Sequence, residues 1–166
     1  MELPGFAVSN FPPRTDGVYL LGLDIDGDFA PFYVGQSSRV LGRIADYQKA
    51  NFSARTDFKV GETVSFFLGM NQNVKIAFKE SADPERDEKH WIDEAKARGY
   101  LLLNLFNLET DDENEARDKV HRRANEFLEH LQQKLPRARD SHLHRSVPLF
   151  SNVSLREIPE RILRIT

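Results

Sequence analysis

The sequence predicts a mixed α+β fold built as one globular domain. Three observations lead to this prediction: two apolar runs flank the pair Asp26-Gly27, an amphipathic segment follows Asp83 and Pro84, and a second, longer one follows Thr110. Apolar runs around an Asp-Gly pair are typical of a β-hairpin, and the two later segments have helical spacing. The length of 166 residues suits a single core of ordinary size.

The first elements are a lead-in and the hairpin. Residues 1–16 are predicted to be irregular, because their three prolines disfavour regular structure. The hairpin strands are expected in residues 17–25 and 29–35. Pro31 has no N–H donor, so the second strand either is an edge strand at that point or begins just after it.

The remaining elements follow from spacing and capping signals. A helix is predicted over residues 38–49, a loop over 50–61, and a pair of strands, or a strand and its continuation, over 62–70 and 74–79. Asp83 as N-cap and Gly99 as stop predict the next helix. Residues 100–108 are a buried strand or a short apolar segment. The long helix begins with Thr110 as its cap and ends before Pro136.

Composition and charge exclude several classes of protein. The chain has no cysteine, so disulfides, thiolate zinc sites and cysteine nucleophiles are excluded. No run has the length of a membrane helix and the N-terminus does not resemble a signal peptide, so we expect a soluble cytoplasmic protein without a membrane partner. The formal charge of −3 gives no overall attraction to nucleic acid. Residues 134–166 nevertheless form a basic tail, with seven basic and three acidic residues.

Five elements of the sequence occur in a fixed order within about residues 15–107. They are the tripeptide Gly17-Val18-Tyr19, the tripeptide Tyr33-Val34-Gly35, the arginine Arg43, the acidic Glu88 ahead of Trp91-Ile92, and the closing Asn104. Either tripeptide alone is common by chance, whereas five elements in this order are not. The series resembles the GIY-YIG nuclease family.

The resemblance implies both a fold and an activity. The fold is a small central antiparallel sheet of about three strands flanked by helices in residues 17–108. The long helix and the basic tail in residues 109–166 extend this domain. The activity is that of a metal-dependent DNA endonuclease that hydrolyses phosphodiester bonds. In this family setting Glu88 is the expected ligand of one Mg²⁺ or Mn²⁺, since these ions prefer hard oxygen donors together with water.

The resemblance also implies roles for the other site residues. Tyr19 is the expected general base for the attacking water, and Tyr33 assists it by hydrogen bonding. Arg43 is expected to hold the phosphate oxygens in bidentate fashion. Tyr47, one helical turn after Arg43, shares its helix face and joins the network. Asn104 is expected to hold the Glu88 region or the geometry of the metal site.

One position departs from the family pattern, and several candidates are weaker. Gln36 stands where some members have lysine, which removes a positive charge near Tyr19 but leaves a group that can hydrogen-bond a phosphate. Four arginines either contact the DNA backbone or form a solvated face. They are Arg122, Arg123, Arg137 and Arg139. His142 and His144 lack a third ligand nearby and are more typical of solvent-facing residues.

Two questions of function stay open at this point. The module has one active site, so a double-strand break requires a homodimer or two separate events. The alternative to a nuclease is a non-catalytic nucleic-acid-binding or protein-interaction module that retains the fold. The family's catalytic positions are all filled in this chain, which favours the nuclease.

Overall fold

A computed structural model describes residues 1–9, 15–37 and 55–135 of the chain. Within these residues, the chain forms four strands, three α-helices and one 3₁₀ turn. They are β1 (Ala7–Ser9), β2 (Gly17–Ile25), β3 (Asp28–Ser37), α1 (Arg55–Gly69), β4 (Val74–Glu80), α2 (Pro84–Ala97), a single 3₁₀ turn (Leu103–Leu105) and α3 (Glu113–Lys134). The predicted α+β class, with a small antiparallel sheet flanked by helices and a further helix at the C-terminal side, is confirmed.

The sheet has the strand order β1-β4-β2-β3, and every neighbouring pair is antiparallel. Strands β2 and β3 form the predicted hairpin. Asp26 and Gly27 form its two-residue turn with positive φ angles of 52° and 90°, the combination that a type I′ turn requires. Strand β3 lies at the edge of the sheet, which explains why it tolerates Pro31.

The lead-in is more regular than the sequence predicts. Residues 7–9 form β1, which pairs with β4 in the register Ala7 opposite Phe78. The prediction of an irregular segment over residues 1–16 is therefore wrong for this stretch. Its prolines lie at positions 4, 12 and 13, on either side of β1, so none of them interrupts the strand.

Helix α1 corrects a second prediction. The sequence predicts a loop over residues 50–61 and a strand over 62–70, whereas Arg55–Gly69 is helical. The buried side chains of Val60, Val64 and Phe67 recur at helical spacing and pack into the core. Phe67 and Phe127 both lie against Phe32, with ring centroids 5.0 Å apart for Phe32 and Phe67 and 6.1 Å apart for Phe32 and Phe127.

Helices α2 and α3 lie where the sequence predicts them. Asp83 caps α2, since its side chain accepts a hydrogen bond from the backbone N–H of Arg86. Asp112, rather than the predicted Thr110, is the N-cap of α3, and the Thr110 hydroxyl accepts a hydrogen bond from the Asp112 N–H. The apolar face of α3 joins the same core as the sheet. Residues 100–108 form the short apolar segment, and within it the 3₁₀ turn.

Some predictions concern residues outside the described ranges. The helix over residues 38–49 and the basic tail from residue 136 onward are among them. In the ranges that the structure describes, no helix combines the length and the apolar character needed to cross a bilayer.

Candidate functional site

Two tyrosines lie side by side on the hairpin. In the register of β2 and β3, Tyr19 is opposite Gly35 and Tyr33 is opposite Leu21, which puts both phenol rings on one face of the sheet. Their ring centroids are 6.2 Å apart with an interplanar angle of 53°. The sequence therefore predicts this pairing correctly from the order of the two tripeptides around the turn.

Gly35 makes room for both rings. A Cβ atom at this position would lie 2.5 Å from Cζ and Oη of Tyr19 and 2.9 Å from Cε1 of Tyr33. Ordinary van der Waals contacts begin near 3.4 Å, so no other residue fits here without moving the tyrosines. The Tyr19 hydroxyl thus rests directly over the backbone of β3.

Burial constrains what the tyrosines can do. Tyr19 is 0% exposed and Tyr33 is 5% exposed. A general base must come within hydrogen-bond reach of the proton it removes, either directly or through one water. Water and phosphate reach the Tyr19 hydroxyl only after part of its surroundings moves aside.

Asn104 closes the edge of the sheet beside the tyrosines. Its Oδ1 accepts a hydrogen bond of 2.9 Å from the Val34 N–H, and its Nδ2 donates one of 2.7 Å to the Val34 carbonyl oxygen. The amide thus pairs with β3 as a further strand would. Val34 lies between Tyr33 and Gly35, so the observed contacts of Asn104 hold the tyrosine-bearing strand. Neither of these hydrogen bonds involves Glu88.

Glu88 is a half-buried carboxylate on α2, the helix that packs on β2 and β3. Burial raises the pKa of Glu88 above its usual 4.5, and the negative charge of Glu85 raises it further. Among the described residues, Glu88 makes no ion pair or hydrogen bond. The charged form of a partly desolvated carboxylate without a cationic partner is destabilised, and either a proton or a bound cation relieves that cost.

The start of α2 is fixed firmly to the strand that precedes it. Ser81 donates a hydrogen bond of 2.7 Å from its hydroxyl to Oδ2 of Asp87, and this bond lowers the pKa of Asp87. The Ser81 N–H also donates to the carbonyl oxygen of Asp16. These contacts set the position of the first turn of α2, and Glu88 follows in the next turn.

The donor set fits Mg²⁺ or Mn²⁺ only with a large share of water ligands. The described part of the chain contains no cluster of three or more histidines and acidic residues suited to a metal. Mg²⁺ commonly keeps several waters and uses one or two carboxylates, so a single half-buried glutamate is compatible with it. Zinc, which prefers three or four protein ligands, is not supported.

The two described arginine candidates differ in their surroundings. Arg123 donates a hydrogen bond of 3.1 Å to Glu126, and its guanidinium carbon lies 5.8 Å from the centroid of the Phe106 ring. These contacts engage the Arg123 guanidinium within the protein, which leaves it less available to bind DNA. Arg122 is exposed and has no partner among the described residues, so it is the freer of the two. Gln36 is also exposed, at the end of β3.

Four candidate residues lie outside the described ranges, so their positions relative to the tyrosines stay predictions. They are Arg43, Tyr47, Arg137 and Arg139.

Sequence reasoning missed Lys59, which contacts the segment that carries Asn104. Its Nζ donates hydrogen bonds to the carbonyl oxygens of Leu103, at 3.2 Å, and Phe106, at 2.7 Å. A helical interpretation of residues 55–69 would have placed Lys59 on the buried face of α1, one turn before Thr63 and two turns before Phe67, but would not have specified its acceptors.

Comparisons with models of protein families, with curated proteins and with solved structures found no match to this chain.

Proposed function

We propose that this chain is a metal-dependent DNA endonuclease of the GIY-YIG type. The observation that carries the proposal is Glu88, a half-buried carboxylate without a cationic partner among the described residues, on the helix that packs against the two tyrosine-bearing strands. A half-buried carboxylate of this kind costs stability, and a bound cation offsets that cost. The order of the five sequence elements supports the same proposal.

Glu88 would hold one Mg²⁺ or Mn²⁺ together with water. Such an ion, when bound, polarises the scissile phosphate and stabilises the leaving oxygen. The raised pKa of Glu88 describes the metal-free carboxyl, and a bound cation would favour its charged form. Metal affinity is therefore expected to rise with pH as this carboxyl ionises.

Tyr19 would take the proton from the attacking water, and Tyr33 would orient that water or the phosphate. A free phenol with a pKa of about 10 is only roughly one part in a thousand ionised at neutral pH. The base therefore needs positive charge nearby, which the bound cation and Arg43 would supply. Activity is expected to increase toward alkaline pH.

Arg43 would hold the non-bridging oxygens of the phosphate, and Tyr47 would join the same network. The planar guanidinium fork suits a phosphate better than an ammonium group does. By analogy with the loss of one oxyanion-hole donor, Arg43→Ala would lower the cleavage rate by roughly two to three orders of magnitude.

DNA contacts outside the site would come from the exposed Arg122 and from the basic tail, including Arg137 and Arg139. Gln36 would contribute a hydrogen bond to a phosphate. Arg123 is the weakest of these candidates because Glu126 and Phe106 already engage it. One site per chain means that a double-strand break needs a homodimer or two events.

One observation favours a second function. Tyr19 has no exposed surface, which is the state expected if the phenol only packs the sheet. The chain would then be a non-catalytic module that binds nucleic acid or protein through the same fold. The two functions differ in whether the protein cuts DNA.

Incubation of the purified protein with supercoiled plasmid separates them. With Mg²⁺ or Mn²⁺ present, the nuclease converts supercoiled plasmid to the nicked form, and chelation of the metal stops the conversion. A homogeneous preparation that binds the plasmid without nicking it, with either metal and across neutral to alkaline pH, would establish the binding module instead.

A further inference from the structure

Lys59 is a cation held in the protein interior. It is 9% exposed, and burial lowers the pKa of its ammonium group from the usual 10.5. Within the described residues no carboxylate pairs with it; its Nζ donates only to the carbonyl oxygens of Leu103 and Phe106. A methionine of similar length would fill the same space without the desolvation cost. The ammonium group therefore has a role other than filling volume.

The two carbonyl groups that accept hydrogen bonds from Lys59 lie on either side of Asn104 in the sequence. Leu103 and Phe106 are also joined to each other, because the Phe106 N–H donates to the Leu103 carbonyl oxygen and closes the 3₁₀ turn. One turn of 3₁₀ helix has poor hydrogen-bond geometry and does not fix its own position. Lys59 attaches this turn to α1 on one side, and Asn104 attaches it to Val34 on the other.

These contacts form a continuous connection from α1 to the tyrosine-bearing strand. The N–H and the carbonyl of Val34 both bond to Asn104, so they point away from β2 toward the open edge of the sheet. Without the Asn104 amide, nothing else in the described ranges pairs with this edge at Val34. Displacement of the turn would therefore leave the N–H and carbonyl of Val34 without partners and remove the outer support of β3, while Tyr33 and Gly35 stay paired with β2.

We propose that Lys59 is a positioning residue for the candidate site, acting through the turn at residues 103–106 and Asn104 to hold the Tyr33–Gly35 segment of β3. The effect on cleavage rests on the proposed nuclease function. The effect on hydrogen exchange at the Val34 amide depends only on the hydrogen bonds of Lys59 and Asn104. The positioning role and the nuclease function can therefore be refuted separately.

The Val34 amide is the direct probe of this connection. In Lys59→Met, the hydrogen-exchange rate of the Val34 N–H is expected to rise about fivefold, the factor that corresponds to losing one hydrogen bond of average net strength. The amide of Leu20, on the central strand β2, reports general loosening and is expected to change far less. A merely structural role for Lys59 would raise both rates by the same factor.

Thr63→Val is the matched control on the same helix face. Thr63 is 1% exposed and its hydroxyl has no hydrogen-bond partner among the described residues, so this variant also replaces a buried polar group without touching the turn. It is expected to leave the Val34 exchange rate unchanged. Lys59→Arg keeps the donors and is expected to preserve most of the protection at Val34.

Cleavage provides the second readout. Lys59→Met is expected to lower kcat with little change in KM for plasmid, and to add nothing further in an Asn104→Ala background, because both substitutions break one connection. If Lys59→Met does not fold, Lys59→Gln, which keeps an N–H donor on a shorter side chain, serves in the same comparison with an intermediate rise at Val34.

Equal exchange at Val34 and Leu20, or an unchanged rate at Val34, overturns the proposal. A native protein that cuts no plasmid but shows the selective rise overturns the nuclease function and leaves the positioning role intact.

Discussion

Gly35→Ala tests how tightly the two tyrosines are held. The added methyl would meet Tyr19 at 2.5 Å, where ordinary contacts begin near 3.4 Å, so the ring must move by about 1 Å. Overpacking of this kind costs about 1–3 kcal/mol of the free energy of unfolding, and the reduced backbone freedom of the unfolded chain offsets about 0.5–1 kcal/mol of that. We therefore expect a net loss of up to about 2.5 kcal/mol.

The effect on cleavage should be larger than the effect on stability. A shift of about 1 Å in a reacting group can reduce a rate by about a hundredfold. The assay is the initial rate of plasmid nicking, measured at a temperature where chemical denaturation shows the variant to be fully folded. The expected result is a hundredfold lower kcat with the plasmid KM little changed.

Two glycines provide controls for this experiment. Gly22 lies on the other face of β2 from Tyr19, and a Cβ there would meet Phe29 at 2.6 Å and the carbonyl oxygen of Ala30 at 2.7 Å. Gly22→Ala should therefore cost at least as much stability while leaving the rate near native. Gly69, at the end of α1, has open space around it, so Gly69→Ala should be neutral or slightly stabilising. A folded Gly35→Ala with the native rate, or an equal loss of rate in Gly22→Ala, would show that the positions of the two tyrosines do not set the cleavage rate.

Three further predictions concern charge and the helix that carries Glu88. Burial lowers the pKa of Lys59 in the folded protein, so the free energy of unfolding should increase as pH rises from that folded pKa toward 10.5. Denaturant titrations should show this increase in the native protein and not in Lys59→Met. Arg122→Ala should reduce the salt dependence of DNA binding by about one unit of slope, whereas Arg123→Ala should mainly lower the melting temperature. Trp91, the one tryptophan of the chain, lies one helical turn from Glu88, so its fluorescence should respond to Mn²⁺ in the native protein and not in Glu88→Ala.

Short-range signals explain the parts of the fold that the sequence predicts. The hairpin turn needs positive φ at two successive residues, and Asp-Gly is a pair that adopts it readily. Helix α2 begins where the Asp83 side chain caps the backbone and Pro84 has no N–H to satisfy. Both features are decided by residues within a few positions of each other, so the sequence carries them directly.

Helix α1 shows where such signals mislead. Thr63, Val64, Phe66 and Phe67 are residue types that favour a strand locally. The helical repeat that overrides this preference begins at Val60, inside the stretch predicted as a loop, so it was divided between two predicted elements. The core decides the outcome, since Val60, Val64 and Phe67 are buried together only when the segment is helical.

The sequence predicts the tyrosine pair of the candidate site. It does not predict the hydrogen bonds of Asn104 and Lys59 that hold the neighbouring backbone. The pairing of Tyr19 with Tyr33 follows from a turn whose length is readable in the sequence. The bonds of Asn104 to Val34 join residues 70 positions apart, and those of Lys59 cross from a helix that was itself predicted wrongly. No local pattern specifies contacts of this range, which depend on how the elements pack.

The most direct test of the nuclease proposal compares plasmid nicking by Glu88→Gln and Glu85→Gln in Mg²⁺. Both substitutions remove one carboxylate from the same helix, but Glu85 is exposed whereas Glu88 is half-buried. We predict that Glu88→Gln abolishes nicking while Glu85→Gln cuts at nearly the native rate. Native nicking by Glu88→Gln, or equal loss in both variants, would contradict it.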